Sequence, residues 1–173
     1  LILTPVMLLW INLVTDGRPA IALGADPRAA DILERDPRPN DESVIDASVV
    51  ASVLSIGVTA TAVGLVLFFE TLAAVDDLVT AQTVLFTFLV VAEMAIIQVI
   101  RRRFGQSPFS NPYLLAAVAA SLVLHGLVLY TPAAGLFGVV PLGTAAWTSI
   151  VAGVAVVLVV TYLLSLVIER YVD

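Results

Sequence analysis

The chain alternates between long apolar runs and short polar interruptions, and the runs have one recurrent length. Five stretches, approximately Leu3–Leu23, Ala47–Phe69, Ala81–Ile100, Pro112–Tyr130 and Thr144–Ile168, are almost free of charge. Each is long enough to cross a hydrocarbon layer of roughly 30 Å as an α-helix, which takes about 20 residues. The pattern predicts an all-α membrane protein, a bundle of five transmembrane helices. The connection over residues 24–46 contains "ADPRAADILERDPRPNDES", too charged and proline-broken to span. Residues 70–80 form a short second connection, "RRRFGQSPFSN" the third and the uncharged, turn-rich "TPAAGLFGVVPLG" the fourth.

Arginine placement predicts the orientation. Arg28, Arg35 and Arg38 lie in the first connection, Arg101 to Arg103 in the third, and Arg170 after the last span, whereas the second and fourth connections hold no basic residue. With five spans all the basic segments fall on one side, the cytoplasmic side by the positive-inside rule. The N-terminus of this segment is then outside and its C-terminus cytoplasmic. Tyr130 and Trp147 fall at outer boundaries and Tyr113 and Tyr171 at inner ones, where amphipathic rings are favoured. The chain opens at Leu1 inside an apolar run, with no basic region before it, so it reads as cut from something longer, delivered outside by upstream helices.

Composition agrees with lipid as solvent. Apolar residues make up 60%, charged residues 13%, and the mean hydropathy is +1.05. There is no cysteine, hence no disulfide and no thiolate metal site. All eight basic residues are arginine, and the net charge of -6 with a pI near 4.5 argues against a nucleic-acid partner.

The chemistry is concentrated in two acids. A carboxylate near mid-bilayer costs about 2.5–3.5 kcal/mol even on the lenient insertion scale, so such residues face the bundle interior and serve a purpose. Asp16 and Glu93 stand at nearly equal distances from the outer ends of two spans that run in the same direction, which places both carboxyls at one depth, slightly cytoplasmic of centre. Two costly acids at one level suggest a shared cation. Asn12, Thr15 and Asp16 follow the i, i+3, i+4 spacing that puts three oxygen-bearing side chains on one helical face. Hard cations such as calcium take six to eight oxygens, and none of these ligands has the softness transition metals prefer. In "DGRPA" just beyond, Gly17 weakens the helix and Pro19 clashes with the carbonyl of Thr15, so the first helix is expected to be broken near Asp16–Pro19.

Those residues carry a resemblance. "TPVMLLWINLVTDGRPAIALG" resembles the sixth transmembrane helix of P-type ATPases of the calcium and sodium–potassium pump group, and "FTFLVVAEMAIIQV" resembles the eighth helix of calcium pumps. "DPRAADILERDPRPNDES" is similar to the cytoplasmic connection of that family, and "LHGLVLYTP" with "LFGVVPLGTAAW" to its ninth helix and the loop after it. The resemblance covers essentially the whole chain, its last two-fifths by pattern rather than by distinctive motif. It implies the C-terminal transmembrane region of a cation-transporting ATPase, with Asn12, Thr15, Asp16 and Glu93 as ligands of the transported cation, calcium favoured. It also implies ATP and magnesium on cytoplasmic domains, and upstream helices of the same pump as partners alongside the lipid bilayer. The family's phosphorylation sequence, "DKTGT", does not occur here, nor does a nucleotide-binding segment, so no catalytic or cofactor-binding residue is expected in this stretch.

Two departures from the family pattern bear on the site. Met7 stands where many relatives have glutamine, and Arg18 where many have an apolar residue. Arg18 either snorkels to the cytoplasmic surface or turns inward as a counter-charge to Asp16, which would favour a proton or fewer ions. A stand-alone structural or regulatory membrane protein, or a proton-coupled secondary carrier using Asp16 and Glu93, is the alternative function; a carrier often carries an internal repeat, and none is found. His125 is expected as a packing histidine, Gln98 as an interhelical hydrogen bond, Glu70 as a solvated boundary residue, and Arg101 to Arg103 as anchors on anionic headgroups. Gly57, Ala60 and Gly64 place small residues on one face of the second helix, a surface for close packing against a further helix.

Overall fold

In a computed structural model the described residues are 1–27, 47–103 and 105–172, with the side chains of residues 47, 48, 103 and 167–172 outside the description. The readings placed on Arg28, Arg35, Arg38, Arg103, Arg170 and Tyr171, and most of the first connection, fall outside it. The described residues are helical, without strands: α1 (Pro5–Trp10), a π-helical segment (Ile11–Asp16), α2 (Gly17–Leu23), α3 (Ala47–Val75), α4 (Leu78–Arg103), α5 (Pro112–Tyr130), α6 (Ala134–Phe137) and α7 (Thr144–Val172). α1, the π segment and α2 follow one another without a gap as a single span, and among the described residues five helices are long and apolar enough to cross a membrane. The chain is an integral, multi-pass membrane protein.

Helix starts follow local chemistry. Thr4 caps α1, its hydroxyl accepting from the Met7 N–H at 3.3 Å, with Pro5 just inside. Asn111 caps α5 by accepting from the Leu114 N–H at 2.9 Å, again followed by proline. Asp77 caps α4, its carboxylate accepting from the Thr80 N–H at 2.9 Å and the Thr80 hydroxyl at 2.5 Å. These bonds hold the Asp77 carboxyl below the usual carboxylate range. Helix α3 runs on to Val75, so only Asp76 and Asp77 separate it from α4, and Asp76 makes the turn with a φ of 52°. The turn-rich fourth connection folds back as α6, which Gly138 ends at a φ of 62°, and Val140 donates from its N–H to the Thr83 hydroxyl at 3.2 Å.

Helix α4 occupies the middle of the bundle, packed by α3 and α7 on one side and by α5 and the π segment on the other. Phe86, Phe88, Val84 and Val90 of α4 are fully buried, together with Met7, Leu129, Ile150 and Val157 from its neighbours. Phe88 lies between two glycines. A Cβ on Gly64 of α3 would stand 2.9 Å from Leu85 Cδ1 and 3.2 Å from Phe88 Cε1. One on Gly153 of α7 would stand 2.9 Å from Leu67 Cδ1 and 3.3 Å from Phe88 Cε2. The small-residue face of α3 thus meets α4 at Gly64, within this chain, whereas Gly57 has nothing within 4 Å.

Gly153→Val is therefore expected to overpack the α3–α4–α7 junction and destabilise the bundle by about 1–3 kcal/mol. Thermal melting in detergent checks it, with Gly57→Val as the reference that costs less because its site is open.

Candidate cation site in the first and third spans

Over Ile11–Asp16 the first span leaves the α register for a π register. Proline explains why the change is tolerated. Pro19 has no N–H, so it can serve neither the Thr15 carbonyl in an α register nor the Val14 carbonyl in a π register. Ser121 of α5 fills the gap, its hydroxyl donating to the Val14 carbonyl at 2.9 Å in a buried setting. The break expected near Asp16–Pro19 takes the form of a widened turn preceding the proline. Hydrogen bonding is kept and α2 continues through Pro19.

The widened turn also redistributes the side chains. Bonding from i to i+5 packs more than four residues into each turn, so a three-residue step falls further short of a full revolution than in an α-helix. The single oxygen-bearing face expected for Asn12, Thr15 and Asp16 is accordingly split. Thr15 is fully buried, whereas Asn12 and Asp16 are exposed on the chain's surface. The Thr15 hydroxyl donates to the Ile11 carbonyl at 2.7 Å and the Asn12 amide to the Leu8 carbonyl at 2.9 Å, so both donors are used on the backbone. The oxygens keep lone pairs for another partner.

Glu93 of α4 is half-buried, and its carboxyl adjoins both the Asp16 carboxyl and the Thr15 hydroxyl. Its Oε2 is buried and has no hydrogen-bond partner. Two adjoining carboxyls, one exposed at the edge of an apolar bundle and one half-buried in it, favour a shared cation or proton, and one acceptor oxygen is left without a partner. The oxygen-only donor set, hard and partly anionic, fits a cation of the calcium type. Among the described residues no cluster of three or more His, Cys, Asp or Glu is found, so the acids at this place are the pair alone. Arg18 is exposed.

A second polar cluster lies at the end of the same two helices, and sequence reasoning missed it. Arg101 is 3% exposed and grips Asp26 with both arms of its guanidinium, Nε to Oδ2 at 3.0 Å and Nη2 to Oδ1 at 2.9 Å. It also donates to the Ser110 hydroxyl at 2.9 Å, Gln98 Oε1 at 3.1 Å, and the carbonyls of Ser107 and Pro108. Asn111 donates to the Ala22 carbonyl at 2.8 Å and to Asp26 Oδ1 at 2.6 Å. The Arg101 guanidinium holds the Asp26 carboxyl below the usual carboxylate range, with Asn111 adding to the effect. The headgroup-anchor reading of Arg101 is corrected: its charge is spent on protein partners, because a buried guanidinium must satisfy its donors internally. Arg102 alone of the described pair is exposed. Gln98 bonds within its own helix instead of between helices.

His125 is buried as expected, its Nε2 3.1 Å from the Thr87 hydroxyl and its ring edge-on to Phe86, although Nδ1 has no partner. Glu70 is exposed. Tyr130 and Trp147 meet each other directly: the indole N–H donates to the Tyr130 hydroxyl at 2.6 Å, which donates to the Leu142 carbonyl at 2.8 Å.

An apolar multi-helix bundle with an acid on each of two facing helices defines the class, a polytopic integral membrane protein with a polar site within its spans. Comparison with known proteins gives the particular family: the profile described as "Cation transporting ATPase, C-terminus" matches residues 1–167, and the chain belongs to that family. It is 36% identical over 136 residues to the calcium-transporting ATPase of Bacillus subtilis, an alignment covering 75% of this chain and 15% of that protein. It is 33% identical over 181 residues to the endoplasmic reticulum-type calcium-transporting ATPase 3 of Arabidopsis thaliana, covering 86% of this chain and 18% of that protein. The chain thus spans less than a fifth of the length of these relatives.

Proposed function

We propose that this chain is the membrane part of an ATP-driven calcium pump, and that Asn12, Thr15, Asp16 and Glu93 contribute ligands to the transported ion. The observation that carries the reading is the meeting of Asp16, exposed at the edge of an apolar bundle, with the half-buried Glu93, one of whose carboxyl oxygens is buried and left without a partner. The names of the relatives, calcium-transporting ATPases, support calcium as the cargo.

Ligand counting supports shared duty. Four side chains supply at most six oxygens, with both carboxylates bidentate, which cannot fill two calcium shells. Asn12 and Asp16 face the exposed surface of this chain, where backbone carbonyls, water or other helices of the pump complete the coordination. ATP and magnesium belong to cytoplasmic domains of the same protein. Arginine placement supports an outward N-terminus and a cytoplasmic C-terminus for this segment.

The test is calcium uptake by vesicles reconstituted with the complete protein that carries this chain. Uptake is expected with magnesium and ATP and to be absent without ATP. Uptake driven by a proton gradient in the absence of ATP would instead identify a secondary carrier.

A further inference from the structure

The two helices that carry the paired acids are joined a second time, away from the acids. Asp26 lies 10 positions beyond Asp16, just past the end of α2, and Arg101 lies 8 positions beyond Glu93 on α4. Along each helix that is two to three turns, so the Asp26–Arg101 contact clamps the same pair of helices on the side toward which both run. The clamp is rigid in kind. The guanidinium is held by both arms, is 3% exposed, and has further partners in the α4–α5 connection. Asn111 adds a third attachment by bonding the end of α2 through the Ala22 carbonyl and Asp26 itself. A fork-to-carboxylate contact fixes orientation as well as distance, because two parallel bonds allow neither helix to roll about the other.

Toward its other end the first span is tied to α4 by one neutral bond, the Gln82 amide donating to the Leu1 carbonyl at 2.7 Å. Asp16 is exposed and stands at the end of a π turn, so its position relative to Glu93 depends on how α2 is held below it. Displacements well under 1 Å alter how well a set of oxygens fits a cation, and supporting contacts outside the ligand shell commonly change metal affinity about tenfold or more.

We infer that Asp26, Arg101 and Asn111 are positioning residues that set cation affinity by fixing the first span against α4, without touching the ion. This rests on the cation-site reading above. It separates affinity from capacity: loosening the clamp weakens binding yet leaves every ligand present, so sufficient cation restores occupancy.

The experiment uses the complete protein and measures phosphorylation by ATP as a function of calcium concentration, with thermal melting of the same preparations. Asp26→Asn and Arg101→Gln are each expected to raise the calcium concentration for half-maximal phosphorylation about tenfold, with the level at saturating calcium retained. The double variant is expected to be no worse than the weaker single one, because both remove one contact. Arg101→Lys, which keeps the charge and loses the fork, is expected to shift the midpoint by an intermediate amount and serves if the glutamine variant does not accumulate. An unshifted midpoint overturns the inference, and so does a fall in the saturating level that tracks lost thermal stability. Asp16→Asn measured in parallel separates the two readings. If it leaves calcium dependence intact, the cation site itself fails; if it removes it while the clamp variants do nothing, only the clamp fails.

Discussion

Asp16→Asn is expected to abolish calcium-dependent phosphorylation of the complete pump by ATP. The substitution keeps the size of the side chain and one carbonyl oxygen, and replaces one of the two adjoining carboxyls with a neutral amide. Affinity in oxygen-ligand calcium sites is tuned over several decades by the number of charged ligands, so a loss on the order of 100-fold or more is expected. Because Asp16 is exposed on this chain and packs no core, the melting temperature in the absence of calcium is expected to stay near that of the parent. Phosphorylation measured against calcium concentration decides the matter. An unchanged calcium response would remove Asp16 from the site.

Glu93→Gln is expected to weaken the calcium response by about tenfold or more, with a different signature in stability. Glu93 is half-buried, and its Oε2 lacks a partner. A glutamine amide brings two N–H donors next to the Asp16 carboxylate, so it satisfies in the ion-free protein what the glutamate leaves unsatisfied. Weaker calcium dependence should therefore accompany an unchanged or higher melting temperature, the usual exchange between function and stability at a strained site. A calcium response equal to that of the parent would point to another cation as cargo.

Hydropathy alone was enough to locate the five spans, because the cost of exposing backbone and charge to lipid leaves few ways to thread such a chain. Helix ends were less legible. Polar residues such as Glu70 stay helical when the helix runs past the apolar layer, and only Asp76 and Asp77 form the turn. The paired acids were visible for the same reason that they are costly. What the residues did not reveal is the register. Pro19 announced an irregularity, but whether a helix meets it by unwinding or by widening depends on a donor such as Ser121, more than a hundred positions away. Separation along the chain also hid the Asp26–Arg101 pair. A run of three arginines after a span reads as a surface anchor, and burial of the first depends on an aspartate 75 positions earlier.

The glycine-flanked Phe88 and the two-residue turn at Asp76–Asp77 have a mechanical consequence. The tether joins α3 closely to α4, and the close approach at Gly64 and Gly153 makes sliding of α3, α4 and α7 past one another sterically costly, so the three are expected to move as one slab. Glu93 is fixed to that slab. In the pump proposed above, a rearrangement at the acid pair then falls to the first span, hinged where Asp26 meets Arg101.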